Sequence, residues 1–344
     1  MNRVNRRLPA EWEPQSGVQL SWPRPDSDWA DLLDRVEPCV AAIVAAISRF
    51  ERVVVVVHDA EAVRPQLEAA GAQAEQVTLI ELPANDTWVR DYGALTVEEG
   101  DAFRLLDFSF NGWGLKFAAN LDNQVSRRLH AAGLFGDQPM TSLPMILEGG
   151  SIDSDGAGTI LTTSDCLLSL NRNTHLTQAE IEAELCAQFG ARRLLWLDHG
   201  HLAGDDTDSH VDILARFASP DTIIHMACDD PADAHDQAFA AMQLQLQQFR
   251  RLDGMPYHLV ALPWPKPRLG RFGQVMAPSY ANFLIINGAV LVPTYQDSAD
   301  AEALRLIGAC FPGREVIGID ASVLIEQGGS LHCMTMQFPM GVLS

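Results

Sequence analysis

The chain has 344 residues, with 24 Lys+Arg against 45 Asp+Glu and a formal net charge of −21. Nucleic acid and anionic membrane surfaces both call for a basic footprint, so neither is an expected partner, whereas a small cationic ligand fits this balance. Hydrophobic residues make up 47%, which supports a sizeable core and excludes a disordered chain.

The start, Met1 to Ala10, is basic but has no apolar segment behind it, unlike a secretory signal. The apolar stretch from Cys39 to Ile47 is too short to span a bilayer and reads as a buried helix face. Six cysteines without a CxxC pair suit neither a disulfide scaffold nor a zinc ribbon, so reduced thiols in a cytoplasmic protein are expected.

In chain order, an Ala-rich helix over 29–50 leads into the β-branched strand Val53 to Val57. A helix over 60–70 and a strand over 77–82 follow, then the loop Pro83 to Asp91. A second round has a helix over 121–132, a strand over 143–147 and the turn Glu148-Gly149-Gly150. The third has a helix over 177–188, where Thr177 and Glu180 have capping-box spacing, then a strand over 194–197 and the acidic run to Asp212. The fourth has a helix over 232–251, a strand over 258–262 and a Pro-rich loop to Pro267. The fifth has a helix over 299–310, a strand over 316–319 and the segment Gly328 to Cys333.

One polar landmark per round (Asp91, Glu148, His210, Pro267, Cys333) gives spacings of about 57, 62, 57 and 66 residues. Repeated supersecondary units in a radial or solenoid array fit this phase, and a doubly wound α/β sheet explains the alternation about as well.

Chemistry concentrates in four segments. Within Gly204 to Asp212, the eight residues from Asp205 hold five titratable groups, a repulsion relieved by a cation or by solvation. On a strand, His210 and Asp212 would share one face. His199 and His201 lie upstream, so a zinc site using them with His210 is one alternative. Glu148-Gly149-Gly150-Ser151 sets a carboxylate beside glycines that permit close backbone approach, or is merely a turn. Asp86 to Asp91 supplies two carboxylates and the Trp88 indole, or a surface ion pair over a core Trp. Gln327-Gly328-Gly329-Ser330-Leu331-His332-Cys333 offers a thiol after a Gly-Gly turn, a candidate nucleophile against the default of an inert buried cysteine.

In this order the segments resemble the agmatine deiminase family, related to bacterial peptidylarginine deiminases, of the guanidino-modifying pentein superfamily. The resemblance runs from Leu8-Pro9-Ala10-Glu11-Trp12-Glu13-Pro14 through Asn85 to Asp91, Phe110-Asn111-Gly112-Trp113-Gly114, Leu147 to Ser151, Asn171-Arg172-Asn173 and Gly204 to Asp212, ending at His332-Cys333. It implies one α/β domain over 1–344, a five-bladed propeller of pseudo-repeated ββαβ units. It further implies hydrolysis of a guanidinium, agmatine above all, to the ureido product and ammonia, in putrescine biosynthesis. Asp91, Glu148 and Asp212 would hold the guanidinium, Cys333 would attack its carbon, and His210 would serve as acid and base. No metal or other cofactor is required.

For the substrate's distal ammonium the chosen acceptor is Asp206, with Trp88 or Trp113 along the methylene chain and Gly329 in the lining. Carboxylates around an empty site should raise the thiol's pKa and a bound cation should lower it. The sequence departs from the family pattern at Gln327-Gly328-Gly329-Ser330-Leu331, where Gly-Gly-Gly-Asn-Ile is common, and at Gly93-Ala94, where Gly-Pro is often found. Another guanidino substrate, a metal-dependent amidohydrolase and an inactive amine-binding module are the competing readings. A homodimer is the base-rate expectation for assembly.

Overall fold

A computed structural model describes residues 6–344. The first five residues of the basic start lie outside it. Five three- or four-stranded mixed sheets account for nearly all the strands, and each contains the same motif. Two strands pair antiparallel, a helix follows, and a third strand returns parallel to the second.

In sheet II the hairpin Leu95–Glu99/Ala102–Ser109 leads through helix Val125–Ala131 to the parallel strand Met140–Ile146. Sheet III has Ile152–Ser154 and Thr159–Thr163, helix Gln178–Phe189, and Arg193–Leu197. Sheet IV has Ala215–Ser219 and Thr222–Met226, helix Asp236–Leu246, and His258–Leu262. Sheet V has Leu284–Ile286 and Ala289–Thr294, helix Asp300–Cys310, and Glu315–Asp320. Sheet I is assembled from both ends of the chain. Met336–Pro339 pairs antiparallel with Gln15–Ser21, which runs parallel to Arg52–Val57 across helix Leu33–Ser48, and Val77–Glu81 adds a fourth strand.

Local chemistry explains these elements. Val53 to Val57 are all buried, as a strand covered on both faces requires. Helix Gln178–Phe189 starts at a complete capping box, with the Thr177 hydroxyl accepting from the Glu180 amide and the Glu180 carboxylate accepting from the Thr177 amide. It stops at Gly190, whose φ of 65° suits a C-cap glycine.

Two expectations are corrected. The helix placed over 121–132 is a short turn followed by Val125–Ala131. His210 to Asp212 is not strand: Val211–Ile213 forms a 3-10 turn, and the next strand begins at Ala215. The Asp205 carboxylate accepts from the Thr207 amide and hydroxyl and from the Ser209 amide, and Asp208 and Ser209 take φ of 67° and 64°. Those local bonds bend the backbone out of any ladder.

The unit-to-unit connections carry the chemistry. Asp91 lies between sheets I and II, Glu148 between II and III, His210 and Asp212 between III and IV, and Cys333 between V and I. The fourth connection departs from the expected landmark, Pro267. An inserted hairpin, Arg268–Leu269 with Val275–Met276, pushes the equivalent position on to Ser279–Asn282.

Candidate active site

A cleft of about 400 Å³ is lined by Asp28, Asp86, Trp88, Asp91, Trp113, Phe117, Asp206, Thr207, Gln327, Gly328, Gly329 and Cys333. Among the described residues its charged lining is wholly acidic. Three of the five central residues (Glu148, His210 and Asp212) are buried off the lining, and Asp91 and Cys333 face the cleft.

Asp91 sits in the short helix Val89–Tyr92. Its Oδ2 accepts from Trp113 Nε1 at 2.8 Å and its Oδ1 from the Gly150 amide at 2.9 Å. Trp113 is held with φ of 54°, a left-handed conformation costly for an aromatic residue. It packs edge-on against Phe110 and Phe117 with centroids 5.0 and 5.5 Å away. Burial and the neighbouring Asp212 charge push the Asp91 carboxyl well above the usual range, outweighing its two hydrogen bonds.

His210 is 1% exposed, and neither ring nitrogen has a hydrogen-bond partner among the described residues. Its Nδ1 stands 3.5 Å from Asp91 Oδ1. Burial pulls its pKa to about 3 against the pull of Asp212, so the ring is neutral in the empty site. Gly150 makes this approach possible. A Cβ there would stand 2.7 Å from His210 Nδ1 and 2.8 Å from Asp91 Oδ1.

Cys333 lies in the 3-10 turn His332–Met334. Its Sγ accepts from Asn282 Nδ2 at 3.2 Å and lies 3.8 Å from Asp212 Oδ2. Asn282 Oδ1 accepts from the amides of His332 and Cys333, at 2.9 and 3.3 Å, so one side chain fixes both the turn and the thiol. Burial, then the Asp212 and Asp91 charges, push the thiol well above its ordinary pKa. Asp212 is shifted the other way. Its burial is outweighed by the hydrogen bond and charge of His332, 2.7 Å from Oδ2, while Oδ1 has no partner among the described residues.

Glu148, expected to hold the guanidinium, lies off the cleft lining. It is fully buried, and both carboxylate oxygens accept from Arg172 Nε at 2.9 and 3.0 Å. Arg172 also binds Asp208 and the Thr207 carbonyl, which ties Glu148 to the His210 loop. Glu148, Cys166 and His210 could supply metal-ligand atoms within 4.8 Å of one another, but an ion there would have to displace the Arg172 guanidinium from Glu148. His199 and His201, the other expected ligands, are exposed and outside that group.

Trp88, Trp113, Asp206 and Gly329, the residues expected along the substrate, all line the cleft. Asp206 and Asp86 are half-buried, and burial raises each to about 6. Gly329 lies flat on Trp88, where a Cβ would come within 2.3 Å of Cζ3. The basic residues that could have served a substrate carboxylate are engaged elsewhere. Arg90 is buried near Glu11, Arg172 holds Glu148, and Lys116 donates to Asp208 and the Asp206 carbonyl.

The family model for Porphyromonas-type peptidyl-arginine deiminase matches residues 7–339. The chain belongs to this family. Agmatine deiminase from Medicago truncatula is 34% identical, with 96% of each chain covered. A crystal structure of a putative arginine deiminase from Porphyromonas gingivalis is 46% identical with a TM-score of 0.94, covering 98% of this chain and 100% of that one. A cysteine-to-serine variant of C. jejuni agmatine deiminase with substrate bound is 35% identical with a TM-score of 0.91, covering 98% and 97%. All six cysteines are unpaired, and no helix among the described residues is long and apolar enough to cross a membrane.

Proposed function

We propose that this family member is an agmatine deiminase, converting agmatine and water to N-carbamoylputrescine and ammonia and so feeding putrescine formation. The observation that carries this reading is a cleft with a thiol and a buried carboxyl at one point, Asp86 and Asp206 elsewhere on its wall, and no Lys or Arg in its lining among the described residues. Agmatine is cationic at both ends. Free arginine would bring a carboxylate into an acidic wall without a cation to receive it. The relatives named above as agmatine deiminases support the same substrate.

The guanidinium is received by Asp91 and by the free Oδ1 of Asp212, in planar charge-assisted hydrogen bonds. Cys333 Sγ, held by Asn282, gives its proton to the neutral His210 and attacks the central carbon, and His210 passes that proton to the departing ammonia. The C–N bond breaks as ammonia leaves, giving a thioether-linked amidinium. Water, deprotonated by His210, then adds to that carbon and releases the ureido product and the thiol. Glu148 acts through His210 and its loop rather than on the guanidinium. Asp206 and Asp86 take the distal ammonium, with Trp88, Trp113 and Gly329 walling the methylene chain.

The five ββαβ units are proposed to close as one five-bladed propeller domain. Support comes from the C-terminal strand completing sheet I and from the contacts among the unit connections. Ammonia release from agmatine, run beside arginine and a peptidyl-arginine, tests the function. Agmatine should be strongly preferred, and turnover of arginine alone would overturn the assignment.

A further inference from the structure

A second cavity, of about 360 Å³, shares no lining residue with the cleft. It is bordered by Glu11, Arg90, Asp153 and His332, which join Arg216 and Asp212 in one buried ionic cluster. Glu11 Oε2 lies 2.9 Å from Arg216 Nη2, 3.7 Å from Arg90 Nη2 and 2.8 Å from His332 Nε2. Arg216 Nε stands 3.2 Å from Asp153, whose other oxygen accepts from the Phe217 amide. The second nitrogen of His332, Nδ1, is 2.7 Å from Asp212 Oδ2.

Both ring nitrogens therefore face carboxylate oxygens at hydrogen-bond distance. A neutral imidazole has one N–H and leaves the other contact as two acceptors in opposition. Charge counting agrees. Glu11, Asp153 and Asp212 contribute three negative charges and Arg90 and Arg216 two positive ones, so the buried cluster is neutral only if His332 supplies the third. Uncompensated charge is expensive at such burial. The remaining ionisable groups near this face are Asp91, the Cys333 thiol and the neutral His210 on the Asp212 side, and the oppositely charged pair Glu51 and Arg314 beyond Glu11.

We infer that His332 is a resident imidazolium, clamped between Glu11 and Asp212, that keeps Asp212 ionised beside the nucleophile. His332 and Glu11 are thus positioning residues, acting on substrate through Asp212, and this role rests on the deiminase reading. Asp212 is the point of delivery because its Oδ2 takes the imidazolium while Oδ1 stays open.

The test has two arms. In protein labelled with ¹⁵N-histidine and assigned by difference from His332→Asn, both His332 nitrogens should give protonated, imidazolium-type shifts at neutral pH. An acceptor-type shift at either nitrogen overturns the inference. His332→Asn keeps an amide near Asp212 but removes the charge. Asp212 should then hold its proton to higher pH, moving the acid limb of kcat/KM upward by about one unit or more, with activity recovering above the limb. An equal loss at every pH marks a merely structural role and overturns it. Should His332→Asn fail to fold, His332→Gln supplies both assignment and profile. Wild-type protein inert towards agmatine would sink the deiminase reading, while the NMR arm would still decide the state of His332.

Discussion

The Cys333 thiol should become a thiolate only when a cation occupies the cleft. In the empty site, burial and the Asp212 and Asp91 charges hold it well above its ordinary pKa. A guanidinium seated for attack brings one positive charge to within about 4 Å of the sulfur. At an effective dielectric near 20 that attraction is worth about 4 kcal/mol. Each pKa unit corresponds to about 1.36 kcal/mol, so the bound cation should lower the thiol pKa by about three units. Two alkylating reagents separate the states: neutral iodoacetamide, and a small haloacetamidinium that carries its own cation into the cleft. Near neutrality iodoacetamide should inactivate slowly, with a rate still climbing at the alkaline end. The haloacetamidinium should level off at lower pH and be faster by up to about a thousandfold after correction with a small model thiol. Superimposed profiles that plateau below pH 8 would mean a thiolate formed without help, and would refute the reasoning.

Gly150→Ala forces a methyl to within 2.8 Å of both His210 and Asp91, and displacing either by about 1 Å should lower kcat about a hundredfold. Its melting temperature should change little by comparison, and unimpaired turnover would contradict the close packing proposed for these three residues. Asn282→Ala removes the donor to Cys333 Sγ and the acceptor for two backbone amides. A drop in kcat of about tenfold or more with KM little changed is expected from steady-state kinetics. Asp206, raised to about 6, binds an ammonium only when ionised, so KM for agmatine should climb as pH falls through 6. Asp206→Asn should raise KM about tenfold at neutral pH and weaken that dependence, leaving the part that Asp86 supplies, with little effect on a guanidine lacking the distal amine.

Much of the site could be read in the sequence because its reactive groups sit in locally conspicuous surroundings. Glu148 directly precedes a Gly-Gly turn, Cys333 follows one after three intervening residues, and His210 and Asp212 end an acidic run. The alternation of helices with apolar strands is legible in the sequence, whereas the ββαβ unit itself enters only through the family resemblance, because the short hairpin strands carry no distinctive local pattern. Asn282 was missed because the 268–276 hairpin lengthens its connection, so an even spacing pointed to Pro267 instead. In the sequence Glu11 stands out only as part of an N-terminal motif. Its contact with His332 joins positions 321 residues apart, and no local pattern encodes that distance. In the sequence Arg172 stands out only within the Asn171-Arg172-Asn173 motif and Arg216 not at all, and only tertiary packing makes them counter-ions for buried carboxylates. The strand reading of His210 to Asp212 failed for a local reason, since Asp205 captures the amides that a ladder would have used.

Covalent capture at Cys333 tests the central claim most directly. Protein mixed with agmatine, quenched in acid during turnover and examined by peptide mass spectrometry should carry an amidino adduct of agmatine less ammonia on the Cys333 peptide alone. N-carbamoylputrescine and ammonia should appear in equal amounts, and Cys333→Ser should form neither adduct nor product. Ammonia release that persists in Cys333→Ser, or cleavage of agmatine to urea and putrescine, would contradict the account.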